Sequence, residues 1–173
     1  MAVSVLTIRP AVQGDKRALV RMLVALWPDG TTRNHGRQVQ SVLDGTPRST
    51  LPLTFLVAER NGVLVAFVEV GLRSHANGCD PVRPVGFIEG WYVQPRLRRQ
   101  GIGRWLFVAA EDWCREYGCR EMASDTWADH TRSVKAHRAL GYSVEGSFVN
   151  FRKALTSPQR TSRSSTRTTW TRR

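Results

Sequence analysis

The 173-residue sequence predicts a mixed α/β fold, a single α+β domain whose sheet is not purely parallel. Two observations carry this. Apolar stretches flank Arg60-Asn61-Gly62, and Asn-Gly tolerates the positive φ values of a tight hairpin, so neighbouring strands pair antiparallel. Toward the C-terminus, extended stretches alternate with amphipathic helical ones, the pattern of strand–helix–strand units.

The elements follow in order. Val5 to Arg9 reads as a short strand ended by Pro10. Asp15 is placed to cap a helix in which Leu19, Met22, Leu23, Leu26 and Trp27 share one face, and Pro28-Asp29-Gly30 stops it. A weaker helix covers Arg37 to Leu43. Leu53 to Glu59 and Val63 to Leu72 are the hairpin strands, Arg73 to Pro84 is a loop, and Val85 to Val93 resumes as strand before Pro95. A long helix follows Gly103, with Leu106, Ala109, Ala110, Trp113, Cys114 and Tyr117 on one face and Gly118 as its stop. Cys119 to Ser124 reads as strand, Ser133 to Leu140 as a short helix closed by Gly141, and Tyr142 to Ala154 as the last strand or strand pair.

Composition bounds the function. The chain is 41% hydrophobic and 23% charged, which is globular, and no stretch approaches the roughly 18 apolar residues of a membrane span. No basic segment followed by an apolar run opens the chain, so a signal peptide is not expected. Three cysteines, Cys79, Cys114 and Cys119, lack metal spacing and suit a reducing cytoplasm better than a disulfide framework. Net charge is +12; the segment 156–173 carries five arginines and ten Ser or Thr, which leaves +7 on a domain spanning 1–155. Such a tail cannot bury enough apolar surface to order itself, and it reads as a disordered, solvated extension.

The most informative stretch is Arg98-Arg99-Gln100-Gly101-Ile102-Gly103, between a strand end and a helix start. Glycines let the backbone approach a ligand, and unpaired N–H groups at the positive end of a helix suit a pyrophosphate. Arg96, Arg98, Arg99 and Arg104 add charge. The pattern is neither a dinucleotide fingerprint, since Leu106 stands where the third glycine belongs, nor a P-loop, since no Lys follows Gly101 or Gly103.

This loop, with Val93 before it, resembles the acetyl-CoA loop of GNAT acyltransferases. The blocks 84–93, 110–113, 123–125, 136–142 and 151–153 resemble successive blocks of the aminoglycoside 6′-N-acetyltransferases. The resemblance implies a central, mostly antiparallel sheet that splays at its middle strands. It implies that backbone groups of Trp91, Tyr92 and Val93 hold the pantetheine arm and that the amides from Arg98 through Arg99, Gln100, Gly101, Ile102 and Gly103 to Arg104 hold the pyrophosphate. Val93 N–H becomes the oxyanion donor, Glu89 the base or cation ligand, and His137 a donor of the thiolate proton, in a position where many relatives have tyrosine. Trp27, Asp125 and Glu145 fall on the acceptor side. His130 stands where the family's cofactor asparagine would be, and His75-Ala76 replaces a tyrosine of the substrate loop. Homodimerisation is implied by the same likeness, and no metal is.

The implied reaction moves acetyl from acetyl-CoA to the 6′-amine of an aminoglycoside. A polycationic amine would be repelled by a +12 protein at long range, but screening within about 8 Å makes the local field decisive. Glu69, Asp80, Glu89, Asp125, Asp129 and Glu145 lie on or beside the middle strands, which predicts an acidic cleft beside a basic cofactor groove. Two rivals stand: another acceptor (a polyamine, metabolite amine or protein N-terminus), or nucleic-acid binding through the arginines.

Overall fold

The computed structural model describes residues 5–146. The elements run β1 (Leu6–Pro10), α1 (Lys16–Leu26), α2 (Thr32–Leu43), β2 (Leu53–Arg60), β3 (Val63–Arg73), β4 (Val85–Val93), α3 (Ile102–Glu116), β5 (Met122–Ser124) and α4 (Thr131–Ala139). The strands form one sheet in sequence order, antiparallel from β1 to β4 and parallel between β4 and β5. Asn61 and Gly62, at φ 51° and 78°, make the two-residue turn between β2 and β3.

Both faces of the sheet are covered. Leu19, Met22 and Leu23 of α1 and Val39 of α2 pack on Phe55, Val57, Leu64 and Phe67. On the other face Ile102, Leu106, Phe107, Ala110 and Cys114 of α3 pack on Leu56, Ala66, Val68, Val70 and Ile88. Each fully buried Leu or Phe contributes about 1.5–3 kcal/mol, so these two layers hold the sheet in place. Being covered twice, β3 is buried from Leu64 to Leu72, and its apolar run is broken only by Glu69 and Gly71.

Several elements differ from the sequence reading. Asp15 does not cap α1. Its carboxylate accepts from the Val12 amide (2.8 Å) and from Arg9 (2.7 and 3.1 Å), closing a tight turn ahead of the helix, and the guanidinium holds it below the usual carboxylate range. The second helix begins at Thr32, because Thr31 Oγ1 accepts from the Asn34 amide and His35 buries with Val39 one turn on. Phe107, and not Trp113 or Tyr117, completes the buried face of α3. β5 keeps only Met122–Ser124, which pair in register with Gly86–Ile88 of β4. Tyr142 to Gly146 is irregular, while the rest of the final strand assignment and the tail 156–173 lie outside the described residues. No helix among the described residues is long and apolar enough to cross a membrane.

Candidate active site

The site starts from a single extra residue in β4. Glu69 lies opposite Gly90 and Val70 opposite Ile88, so Glu89 has no partner across the ladder. In a regular strand Glu89 and Gly90 would face opposite sides of the sheet. The bulge turns both toward the α1/α2 face. The Glu89 carboxylate there accepts two hydrogen bonds from Arg73, at 3.0 and 2.7 Å, and a Cβ on Gly90 would lie 2.4 Å from the Trp27 ring. Only glycine lets that indole lie against the strand. After the bulge alternation resumes, with Trp91 edge-on to Phe107 and Tyr92 stacked near Phe67.

Above the bulge is a cavity of about 780 Å³ lined by residues that include Trp27, His35, Gln38, Glu69 and Glu89. Trp27 closes α1, stacks on His35 and is 36% exposed, so it is a wall of the cavity and not part of the core. Glu69 is 2% exposed, and both its oxygens accept from one nitrogen, Gln38 Nε2, at 2.8 and 2.9 Å. Burial and the neighbouring Glu89 push its carboxyl up to about 7. A carboxyl raised in the folded state stabilises the fold most below its unfolded value and loses that contribution as pH rises through the folded one. The displacement from 4.5 to about 7 corresponds to about 3 kcal/mol, so Glu69→Gln should flatten the fall in unfolding free energy between pH 5 and 8 in urea titrations. An unchanged slope would show that Glu69 titrates normally.

The cavity is not uniformly acidic. Arg37 and Arg48 also line it, and Arg73 neutralises Glu89. The arginines of the lining are exposed while Glu69 is buried, so solvent screens the cations more than the carboxylate at the floor. Asp80 is turned into its own loop, accepting from the Val82 amide and facing Arg83.

The turn between β4 and α3 is shaped for close approach. Arg99 and Gly101 adopt positive φ, 62° and 83°, and α3 starts directly after them. The first helical bond runs from the Trp105 amide to the Gly101 carbonyl at 3.1 Å, so the earlier amides of this turn point out of the helix end. A Cβ on Gly103 would lie 2.8 Å from the Trp91 ring, which locks the helix end against β4. Arg98 is folded back, its Nε donating to the Val93 carbonyl at 3.0 Å, and Gln100 Oε1 accepts from Arg60. Arg96 and Arg104 are exposed.

Beside this turn the sheet parts. β5 pairs with Gly86–Ile88 only, so β4 from Glu89 to Val93 has no ladder partner on that side among the described residues. Ser124 Oγ donates to the Ile88 carbonyl (3.2 Å) at the point of divergence. His137 is drawn into this junction: Nδ1 donates to the Ser133 carbonyl at 2.9 Å and Nε2 lies 3.0 Å from Ser124 Oγ. With both nitrogens engaged and its ring among Trp91, Phe107 and Tyr142, His137 braces α4 against β5. Asp125, just past β5, is exposed and borders a separate depression that also includes Arg73, Ser124 and Glu145. Arg73, which pairs with Glu89, lies on the same depression as Asp125. Glu145 accepts from Ser143 Oγ, and His130 immediately precedes α4.

Sequence reasoning left out Arg73 and Gln38 and placed Glu69 only within a general acidic patch. Glu69 had a signal, as the one acid inside the apolar run Val63–Leu72. Gln38 had none, because its partner is 31 residues away.

The sequence model of the acetyltransferase (GNAT) family matches residues 19–142. The chain is 38% identical over 148 residues to an aminoglycoside N(6')-acetyltransferase type 1 of Klebsiella aerogenes, covering 86% of this chain and 96% of that one. It is 38% identical over 156 residues to the enzyme of the same name from Stenotrophomonas maltophilia, covering 90% and 97%. The solved aminoglycoside N-acetyltransferase AAC(6')-Iy in complex with CoA superposes with a TM-score of 0.80 at 31% identity, covering 88% of this chain and 97% of that one. Together with the parted strands and the amide-lined turn, these matches establish that the chain belongs to the GNAT acetyltransferase family.

Proposed function

We propose that the protein is an aminoglycoside 6′-N-acetyltransferase, transferring acetyl from acetyl-CoA to the 6′-amine of an aminoglycoside and so conferring resistance. The observation that carries this is the bulge at Glu89, which sets a carboxylate and the Trp27 wall at a cavity next to parted strands and an amide-lined turn. Relatives bearing that activity in their names, and AAC(6')-Iy solved with the bisubstrate analogue CoA-S-monomethyl-acetylneamine, support it.

The residues fit acetyl-CoA: positive φ at Arg99 and Gly101, and a Cβ-free Gly103, bring outward-pointing amides close to an anion. Bound there, acetyl-CoA supplies a thioester acyl group that an amine can take. The amides from Arg98 to Arg104 hold the pyrophosphate, backbone groups of Trp91, Tyr92 and Val93 hold the pantetheine arm, and His130 joins from the start of α4. Val93 N–H donates to the carbonyl oxygen as it gains negative charge, a contact that strengthens in the transition state. Glu89 holds the substrate ammonium, which must lose a proton before its nitrogen can attack. Trp27 covers the sugar ring, and Asp125 and Glu145 attract further amines. His137 acts by bracing Ser124 at the mouth of the splay.

Residues 1–155 form the acetyltransferase domain in this reading, 156–173 a tail, and the enzyme works in the cytoplasm as a homodimer. The test is thiol release from acetyl-CoA with a panel of kanamycin-type compounds, polyamines and peptide N-termini. Kanamycin-type amines should be turned over fastest. Faster turnover of a polyamine or peptide would select the rival acceptors. Asp125→Asn should raise KM for the aminoglycoside about tenfold, the loss of one exposed charge contact, with KM for acetyl-CoA unchanged. Equal losses in both would remove Asp125 from the acceptor side.

A further inference from the structure

Glu69 is a buried carboxylate that the reaction as described does not use. Among the described residues no cation lies within salt-bridge distance of it, and its hydrogen-bond partner is a single neutral donor, Gln38. An ionised carboxylate so placed is poorly compensated, and such a group favours taking a proton or meeting a cation. Glu89, by contrast, has both oxygens held by the Arg73 guanidinium. The ladder places Glu69 directly opposite Gly90, next to the bulged Glu89, and both line the cavity under Trp27.

Resting on the acceptor site proposed above, we propose that Glu69 is the proton acceptor for the attacking amine, with Gln38 as its positioning residue and Glu89 as the cation's anchor. The N–H bond of the substrate ammonium breaks, its electron pair stays on nitrogen for attack, and the proton goes to the Glu69 carboxylate. The product is a neutral buried carboxyl, the form that its surroundings favour, and solvent takes the proton back between turnovers. A proton affinity near neutrality is what a base working at neutral pH requires. The other charged or titratable groups around the cavity are His35 and Arg37 of α2, Arg48 beyond it, and Glu89 with its partner Arg73; β2 presents Phe55 opposite Glu69.

The experiment is the pH profile of kcat/KM for a kanamycin-type amine at saturating acetyl-CoA, wild type against Glu69→Gln. Wild type should show a limb rising through about pH 7. Glu69→Gln should lose that limb and about 100-fold in kcat, with KM for acetyl-CoA unchanged. A variant that keeps the limb and stays within about threefold of wild-type kcat overturns the proposal while leaving the acetyltransferase reading intact. Wild type inactive on every kanamycin-type amine overturns that reading and the proposal with it. If Glu69→Gln fails to fold, Gln38→Leu decides. Removing the donor to the anion should move the limb to higher pH, and a limb that stays in place overturns the proposal.

Discussion

Gly101→Asp should weaken coenzyme A binding at least about 100-fold, a loss of about 2.7 kcal/mol, while leaving the fold in place. Gly101 sits at φ 83°, immediately before α3, in the left-handed region that Asp enters more readily than most residues. A Cβ there would approach only the Trp105 ring, at 3.9 Å, which is ordinary contact. The helix therefore tolerates the change, but the new carboxylate occupies the place where the first-turn amides and the positive helix end would meet the diphosphate. Two like charges in a partly desolvated turn repel strongly enough to outweigh what the amides contribute. Calorimetric titration with coenzyme A, paired with a thermal melt, separates the two effects. An unchanged Kd would place the diphosphate elsewhere and remove the turn from the site.

Glu89→Gln should raise KM for the amine by about 30- to 100-fold, corresponding to loss of a charge-assisted contact of about 2–3 kcal/mol, with coenzyme A affinity unaltered. The substitution does more than delete a charge. Arg73 would lose its bidentate partner and stand at the acceptor site as an uncompensated cation, 3.2 Å from the Phe87 ring centroid. A positive group in that place repels an ammonium, so Arg73→Met in the Glu89→Gln background should recover part of the loss. Steady-state kinetics on the single and double variants measure this coupling. Equal KM values for Glu89→Gln and wild type would show that the amine binds away from the bulge.

The sequence carried the order of elements through α4 because each is written locally: Asn61-Gly62 in its turn, the 3.6-residue spacing of Leu19, Met22, Leu23 and Leu26, and the glycines ahead of α3. It missed the first turn of α2 because Asn34-His35-Gly36 are weak helix formers that Thr31 and the burial of His35 override. It misplaced the role of Asp15 because the partner that claims it, Arg9, lies on another element.

The acceptor site divides the same way. Glu89, Trp27 and the glycine turn are legible because their types and neighbours are contiguous in the chain. The bulge is not, since a one-residue slip depends on how β3 and β4 pair and leaves no local mark. That slip decides that Glu89 and Gly90 share a face, that Trp27 can lie on the strand, and that Glu69 ends up beneath the same cavity with only Gln38 for company. Chain order thus determined which family of folds the protein adopts and where an anion can dock. Long-range packing alone decided which carboxylate is neutralised by Arg73 and which is left buried, because charge compensation depends on distance in space and not along the chain.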